Sequence, residues 1–518
     1  MVLPTRVSQY ANEVTLHLLL LIAIVTLGPL QFGLHLAELN TPQDVITCRK
    51  KAVSTGSGGV KDTIKNFWHS SKPEPVPGFF PDCIPMDDAA FSTVSAIFTV
   101  GGFIGALASG PFASSRGRLT AMRVTAIVFF LGSVLETLAT GVVVLGIGRL
   151  LSGIGAGAAT VVVPLYISEI SPPKYRGFFG TMTQVSTNVG ILLTQTLGYF
   201  LSHGTAWRYI LGAGVIIATA QAFGLLLVPE SPNWLAANGN PTKARQHLQR
   251  IRGAGYDISE ETAAWGGDAA TSEQEGLLSP ALSDTSRRGS SSSGSKDAPV
   301  HLSVFQVARD PLYSRAIVAV VIVMVAQQLG GINAVMMYST SLLQNAISVK
   351  SSLLTILVSV VNLFCTLAFS MLPDKLGRKA CILVSGTGQG VAALLLAICI
   401  GMGSKTVAAL LVVVFVAFFA VGLGPVPFIL ASEMVGQEAV GATQSWALGA
   451  NYFATFLVAQ FFPIVNNALN DYWGGSGYVF YLFAIFAGVS MTLVMLFVPE
   501  TKGKRDADDV WGRERRLD

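Results

Sequence analysis

Seven carboxamides interrupt stretches of sequence that are otherwise apolar: Gln184, Asn188, Gln327, Gln328, Asn333, Asn362 and Asn451. A neutral amide offers donors and an acceptor and does not titrate, which suits a neutral polyhydroxyl ligand. Gln184 and Asn188 are four apart and share a helix face. Gln327 and Gln328 adjoin each other, with Asn333 five residues beyond Gln328. One such amide more often joins helix to helix than touches a ligand. Several, spread over both halves of the chain, point instead to a polar cavity. Gly330-Gly331 lies just before Asn333, and Gly422-Leu423-Gly424-Pro425-Val426-Pro427 lies between the last two amides. Both runs would interrupt helices, as in the broken helices that line membrane cavities.

Charge gathers at the ends of the apolar stretches. Glu169 with Arg176, and Asp374 with Arg378, are opposite in sign at short spacing, and Glu230, Glu433 and Glu500 fall at related places. Solvated helix-end charges are worth ~0–1 kcal/mol per pair. The alternative is a set of inter-helix salt bridges, with Arg118 among them, that closes one conformation and breaks in another. Its recurrence in both halves favours such a gate. His35 titrates near physiological pH when unperturbed, so it is either a coupling residue or a neutral histidine packed near the outer mouth.

The elements that must hold these groups are membrane spans. Of 518 residues, 51% are hydrophobic and 12% charged, against roughly 25% charged in soluble domains. Apolar runs long enough to cross a ~30 Å hydrocarbon core recur along nearly the whole chain. This excludes a soluble globule, a nucleic-acid binder and a disordered scaffold. Twelve helices are expected, near 14–36, 90–110, 121–140, 143–168, 180–202 and 208–228, then 315–340, 352–372, 380–401, 406–434, 444–467 and 477–498. The loops after spans 2, 4 and 8 carry Arg116, Arg118 and Arg123, then Lys174 and Arg176, then Lys375, Arg378 and Lys379. The positive-inside rule makes those loops, and both termini, cytoplasmic.

The two halves echo each other. Gly377-Arg378 follows Gly117-Arg118 by 260 residues, Glu433 follows Glu169 by 264, and Pro499-Glu500-Thr501 follows Pro229-Glu230-Ser231 by 270. Such a parallel repeat places a substrate site between the halves near mid-membrane. The expected organisation is a six-helix bundle over 1–228, a cytoplasmic linker over 229–310, a second bundle over 311–499 and a short tail over 500–518. The linker from about 253 to 300 is Ser-rich and too poor in apolar residues to order itself. Within it, Glu273 to Leu278 fits an acidic dileucine signal, making a sorting adaptor a candidate partner, and Arg287-Arg288-Gly289-Ser290 would suit phosphorylation. Cys48 and Cys83, in the long loop after span 1, could pair if that loop faces an oxidising compartment. Cys365, Cys381 and Cys399 read as inert small hydrophobes.

The motifs resemble those of the sugar porter family of the major facilitator superfamily. They are Gly148-Arg149, Pro164-x-Tyr166-x-x-Glu169, Pro173-x-x-Arg176-Gly177, Pro229-Glu230-Ser231-Pro232-x-Trp234-Leu235, Gln327-Gln328-x-x-Gly331-Ile332-Asn333-Ala334-Val335, Asp374-x-x-Gly377-Arg378-Lys379 and Pro499-Glu500-Thr501-Lys502-Gly503. The resemblance runs from about Gln31 to Lys504. It implies an all-α, twelve-helix transporter with alternating access and a monosaccharide site. It further implies that Gln184, Gln327, Gln328, Asn333 and Asn362 contact sugar hydroxyls, with Asn451 beside them and Phe428 where the family places a ligand-stacking tryptophan.

Departures from the family pattern shape the functional expectation. His35 stands where proton-coupled members show aspartate and many facilitators asparagine; Ala420 replaces a glutamate, Tyr452 a tryptophan, and Val440 an arginine. An imidazole inverts the charge logic of a carboxylate, so facilitated diffusion of a hexose is expected. Proton-coupled transport of a sugar or polyol, and a non-transporting sugar sensor, are the alternatives. No His/Cys metal cluster, nucleophile elbow or phosphate loop stands out, so neither an enzyme nor a cofactor or metal is expected. The expected setting is a plasma or vacuolar/endosomal membrane, with the monomer as the working unit.

Overall fold

The computed structural model describes residues 14–49, 81–253, 255–265, 304–343, 351–436, 439–504 and 507–512. The dileucine and serine-rich segments lie outside these residues. Among the described residues, twelve long helices, α1 to α12, make up the body of the protein. In the first half they are Leu16–Ala37, Asp88–Arg116, Arg118–Thr137, Val142–Ile170, Arg176–Leu201 and Trp207–Gly224. In the second half α7 is split into Pro311–Leu329 and Ile332–Leu343, followed by α8 at Ser351–Ala368 and α9 at Arg378–Gly401. α10 is split into Lys405–Val421 and Val426–Glu433; α11 spans Val440–Trp473 and α12 Val479–Phe497. Ten of the twelve are long and apolar enough to cross a membrane. The two that fall short are α5 and α8, whose sequences carry Gln184, Asn188, Asn362 and Thr366 towards the middle of the protein. α8 falls short by length alone, as a short apolar helix, whereas α5 is diluted by the polar residues it turns inward. Outward-facing Ile216, Phe223, Leu226, Phe364 and Leu496 remain more than half exposed, as a lipid-facing belt requires.

Small residues set how closely the helices approach. A Cβ on Gly157 would overlap the Gly102 carbonyl oxygen, and one on Gly101 would overlap that of Leu150, so α2 and α4 touch backbone to backbone. Gly33 and Gly190 join α1 to α5 in the same way, against Thr187 and Leu30. Lipid tails are as apolar as leucine, so such contacts, rather than hydrophobic burial, drive association within the membrane.

The chain turns from α2 into α3, and from α8 into α9, by one repeated device. Gly117 and Gly377 adopt φ of 98° and 106°, where an L side chain is strained and would also strike Glu230 or Glu500. Each glutamate comes from the segment after the sixth helix of its half and caps the new helix. Glu230 accepts from Arg118 N at 3.0 Å and Leu119 N at 3.1 Å; Glu500 accepts from Arg378 N at 2.8 Å and Lys379 N at 3.1 Å. A carboxylate at a helix N-terminus also meets the positive end of the helix dipole. Burial opposes the Glu500 charge. The N–H groups of Lys502, Arg378, Ala380 and Thr501 outweigh it and hold the pKa below the ordinary carboxylate value.

Two outcomes follow. Gly157→Val should separate α2 from α4 and lower the melting temperature in detergent by several degrees, the overpacking cost being roughly 1–3 kcal/mol. Gly177→Ala, whose Cβ would meet nothing within 4 Å, should leave it unchanged; equal shifts in both would refute the packing argument. Glu500→Gln should lose about 1 kcal/mol at neutral pH. Because the folded pKa is depressed, that stabilisation is full above the ordinary carboxylate pKa of ~4.3 and vanishes as pH falls through the lower folded value. The gap between wild-type and variant melting temperatures should therefore close in acid.

Candidate functional site

The amides converge. Gln184, Asn188, Gln327, Gln328, Asn333 and Asn362 line one cavity together with Asn451, Phe428 and Tyr452. Its volume is about 70 Å³. α5 and α8 meet across it: Asn188 donates to Thr366 Oγ1 at 2.9 Å and accepts from Asn362 at 3.1 Å and Gln184 at 3.2 Å. On the opposite wall, Gln327 Oε1 accepts from Asn451 at 2.6 Å and from Gln328 at 3.1 Å. Asn333 donates to Gln328 Oε1 and, at 3.3 Å, to Thr455. Asn362 Oδ1 is buried with no partner. The walls are therefore two short chains of uncharged amides, mutually bonded.

Both helix breaks abut these chains. At Gly331, φ of 88° ends the first part of α7, and the Phe483 ring occupies the place a side chain would need. In α10 the turn at Gly422–Gly424 frees carbonyls that Gln327 Nε2 recovers, from Leu423 and, at 3.2 Å, from Gly424. Ser385 closes the other side, accepting from Leu423 N at 2.9 Å and donating to Phe418 O at 2.6 Å.

Of the two pairs that spacing suggested, Asp374 with Arg378 forms and Glu169 with Arg176 does not; the end charges act mainly as braces between helices. Glu169 bonds Arg118 at 2.8 Å, joining α4 to α3, instead of Arg176 at the start of α5. The positive-φ turn at Gly117 brings the Arg118 side chain back beside α4, and its Nε and Nη2 clasp the carboxylate. The second half repeats this, with Arg378 on Glu433 at 2.9 Å and on Asp374 at 3.0 Å. Thr501 Oγ1 donates to Glu433 at 2.5 Å. Each of these ion pairs lies within one half of the chain. Contact between the halves includes, besides the Asn188 bonds to Thr366 and Asn362, Asn40 Nδ2 on Met336 O at 2.7 Å and Thr160 with Tyr452 OH at 3.3 Å. Cys48 and Cys83 are joined as a disulfide.

Reasoning from single residues missed the company His35 keeps. It is wholly buried, with Nδ1 2.9 Å from Glu38 Oε1 and 3.3 Å from Glu136 Oε2, and Nε2 3.1 Å from Ser133 Oγ. Arg149 Nη1 donates to Glu38 Oε1 and to His35 O, both at 2.6 Å. Glu38 Oε2 and Glu136 Oε1 have no hydrogen-bond partner. With both carboxylates ionised and His35 neutral, the tetrad is one positive charge short; a proton on the imidazole balances it. The signal was in the sequence: Glu136 and Arg149 lie inside apolar runs, where an ionisable residue is a functional candidate by default. The Arg149 guanidinium lies 4.5 Å from the centroid of Phe98, and Phe98 also lines the amide cavity. One ring thus separates the tetrad from the chamber.

Comparison with known proteins agrees with this architecture. Residues 21–506 match the family model described as sugar (and other) transporter. A probable metabolite transport protein of Saccharomyces cerevisiae is 31% identical over 499 residues, covering 96% of each chain. Facilitated glucose transporter member 3 of solute carrier family 2 from Bos taurus is 31% identical, over 95% of this chain and 92% of its own. Among solved structures, the xylose transporter XylE of E. coli in a partially occluded inward open conformation superposes with TM-score 0.70 at 22% identity, over 95% of this chain and all of that one. With twelve helices, a family match across nearly its whole length and relatives that carry solutes, the chain is a multi-pass membrane protein belonging to the sugar transporter family of the major facilitator superfamily.

Proposed function

We propose that the chain moves a monosaccharide, most simply a hexose, down its gradient by alternating access. The observation that carries this reading is the uncharged cavity between the halves, walled by amides that at present bond one another. A sugar hydroxyl both donates and accepts, so it can replace an amide partner without leaving a buried group unpaired. At about 70 Å³ the cavity is well below the ~300–1,000 Å³ of typical small-ligand sites. Sugar therefore enters only as the halves part. In this reading the breaks in α7 and α10 bend, the brace pairs keep each half rigid, and the balance of those charges biases inward- against outward-open states. Relatives named for glucose, including GlcP of Staphylococcus epidermidis, support a hexose.

The arginine- and lysine-bearing loops support cytoplasmic termini, and the disulfide supports a luminal or external face opposite them. Plasma and vacuolar or endosomal membranes both meet that condition. One chain supplies the whole cavity, so the monomer suffices.

A second reading, proton-coupled transport, rests on the tetrad. It supplies the carboxylates that His35 alone lacks, places them one ring from the chamber and needs one proton for neutrality.

Purified protein in liposomes, supplied with labelled hexoses and polyols, tests both. Uptake of a hexose should equilibrate but not accumulate, and an uncoupler should not change it. Gln184→Ala and Asn333→Ala should each raise KM about tenfold, the ~1.4 kcal/mol of one or two neutral hydrogen bonds; unchanged KM in both would defeat the site. Accumulation driven by an acid-outside gradient and lost in Glu136→Gln would instead establish the proton-coupled reading.

A further inference from the structure

A second cavity, of about 130 Å³, opens on the face that carries the disulfide. It straddles the seam, with Gln43, Asp88 and Ser92 contributed by the first half and Tyr338, Asn466 and Asn467 by the second. An aromatic partition forms its inner wall. Phe91 meets Tyr338 edge-on at 6.4 Å, and Tyr338 stacks on Phe462 at 5.7 Å. Tyr338 OH donates to Ala459 O at 2.8 Å, which holds the partition shut in this conformation.

Its polar groups are built in, not incidental. The disulfide and the bond from Ile84 N to Ile46 O at 2.8 Å pin the short helix Gln43–Ile46 over the mouth. Gln43 is only 6% exposed, yet its Oε1 has no hydrogen-bond partner. Asn466 Oδ1 is likewise buried and unpartnered, and its Nδ2 reaches Asn467 only at 3.5 Å. A buried amide group left unbonded costs about 1–3 kcal/mol, so both call for a partner from outside the chain. At the rim, Arg49 and Asp88 pair with each other, which leaves no net charge to attract an ion. A ligand for this cavity must be neutral and bear groups that donate and accept at once. That requirement holds whichever way the two amides are flipped.

We propose that this cavity is a vestibule subsite that binds the transported sugar on the disulfide-bearing face before the aromatic partition opens. The assignment rests on the sugar-transport reading above. Because both halves line it, the subsite would loosen as that face opens, handing its sugar to the amide chamber behind.

The test uses the full-length chain in sealed vesicles of both orientations, with D-glucose as the probe. In Gln43→Ala/Asn466→Ala, KM for transport from the disulfide-bearing face should rise about tenfold. The maximal rate, and KM from the linker-bearing face, should stay unchanged. Saturation-transfer NMR supplies an independent arm. With the chamber disabled by Gln328→Ala/Asn333→Ala, the glucose signal should persist, and it should disappear when Gln43→Ala and Asn466→Ala are added. KM changes equal from both faces, no change from either, or no residual signal in the chamber variant would each overturn the subsite and mean that water alone fills it. No glucose transport by the wild type, with no glucose binding, would defeat the transport reading itself; normal transport without the sided difference defeats only the subsite.

Discussion

A helix interrupted inside a hydrocarbon core has no water to bond its freed backbone groups, and this constraint organises the second half of the protein. The turn in α10 frees the carbonyls of Leu423 and Gly424, and Gln327 recovers both. Having used its N–H groups there, Gln327 offers Oε1 to Asn451 and Gln328, and Gln328 in turn accepts from Asn333. The amide wall is thus anchored in the repair of a broken helix. Hinge and binding surface share one set of hydrogen bonds, so neither can change without the other. Replacing Gln327 would expose two carbonyls as well as removing an amide from the cavity wall.

Around that centre each half behaves as a braced unit. A glutamate from beyond the sixth helix caps the third, and an arginine at the same turn clasps a carboxylate on the fourth, in both halves. Rigid halves are what a rocking mechanism requires. The halves meet along α2 against α11 and α5 against α8, with hydrogen bonds such as Asn40 to Met336 and Asn188 to Thr366. In the proposed reading, binding energy would act on this seam rather than dissipate within a soft bundle.

The sequence disclosed the spans, the repeat and the amides because each leaves a one-dimensional trace: a run, an offset, a polar residue in an apolar stretch. Even the weak hydropathy of α5 is such a trace, since the amides that reduce it, Gln184 and Asn188, are those that face inward. Partnership in space was less legible. The closeness of Glu169 and Arg176 in the chain suggested a pair. The pair actually formed, with Arg118, depends on a positive-φ glycine 52 residues before Glu169. The tetrad was hidden for a related reason. His35 was judged against the residue expected at its own position, while its neighbours Glu136 and Arg149 arrive from two other helices. Phe98 left no trace at all, because an aromatic side chain in an apolar run is unremarkable until its two faces are assigned.

Phe98 is where the chemistry of the buried charges and that of the chamber become mechanically inseparable. A solute crowding the ring would press it towards the Arg149 guanidinium, loosening or tightening an attraction that exists only while the two stay in register. Any substitution that reshapes this wall therefore also shifts a cluster of ionic groups on the ring's far side, so that cavity shape and the packing of buried charge are inherited together.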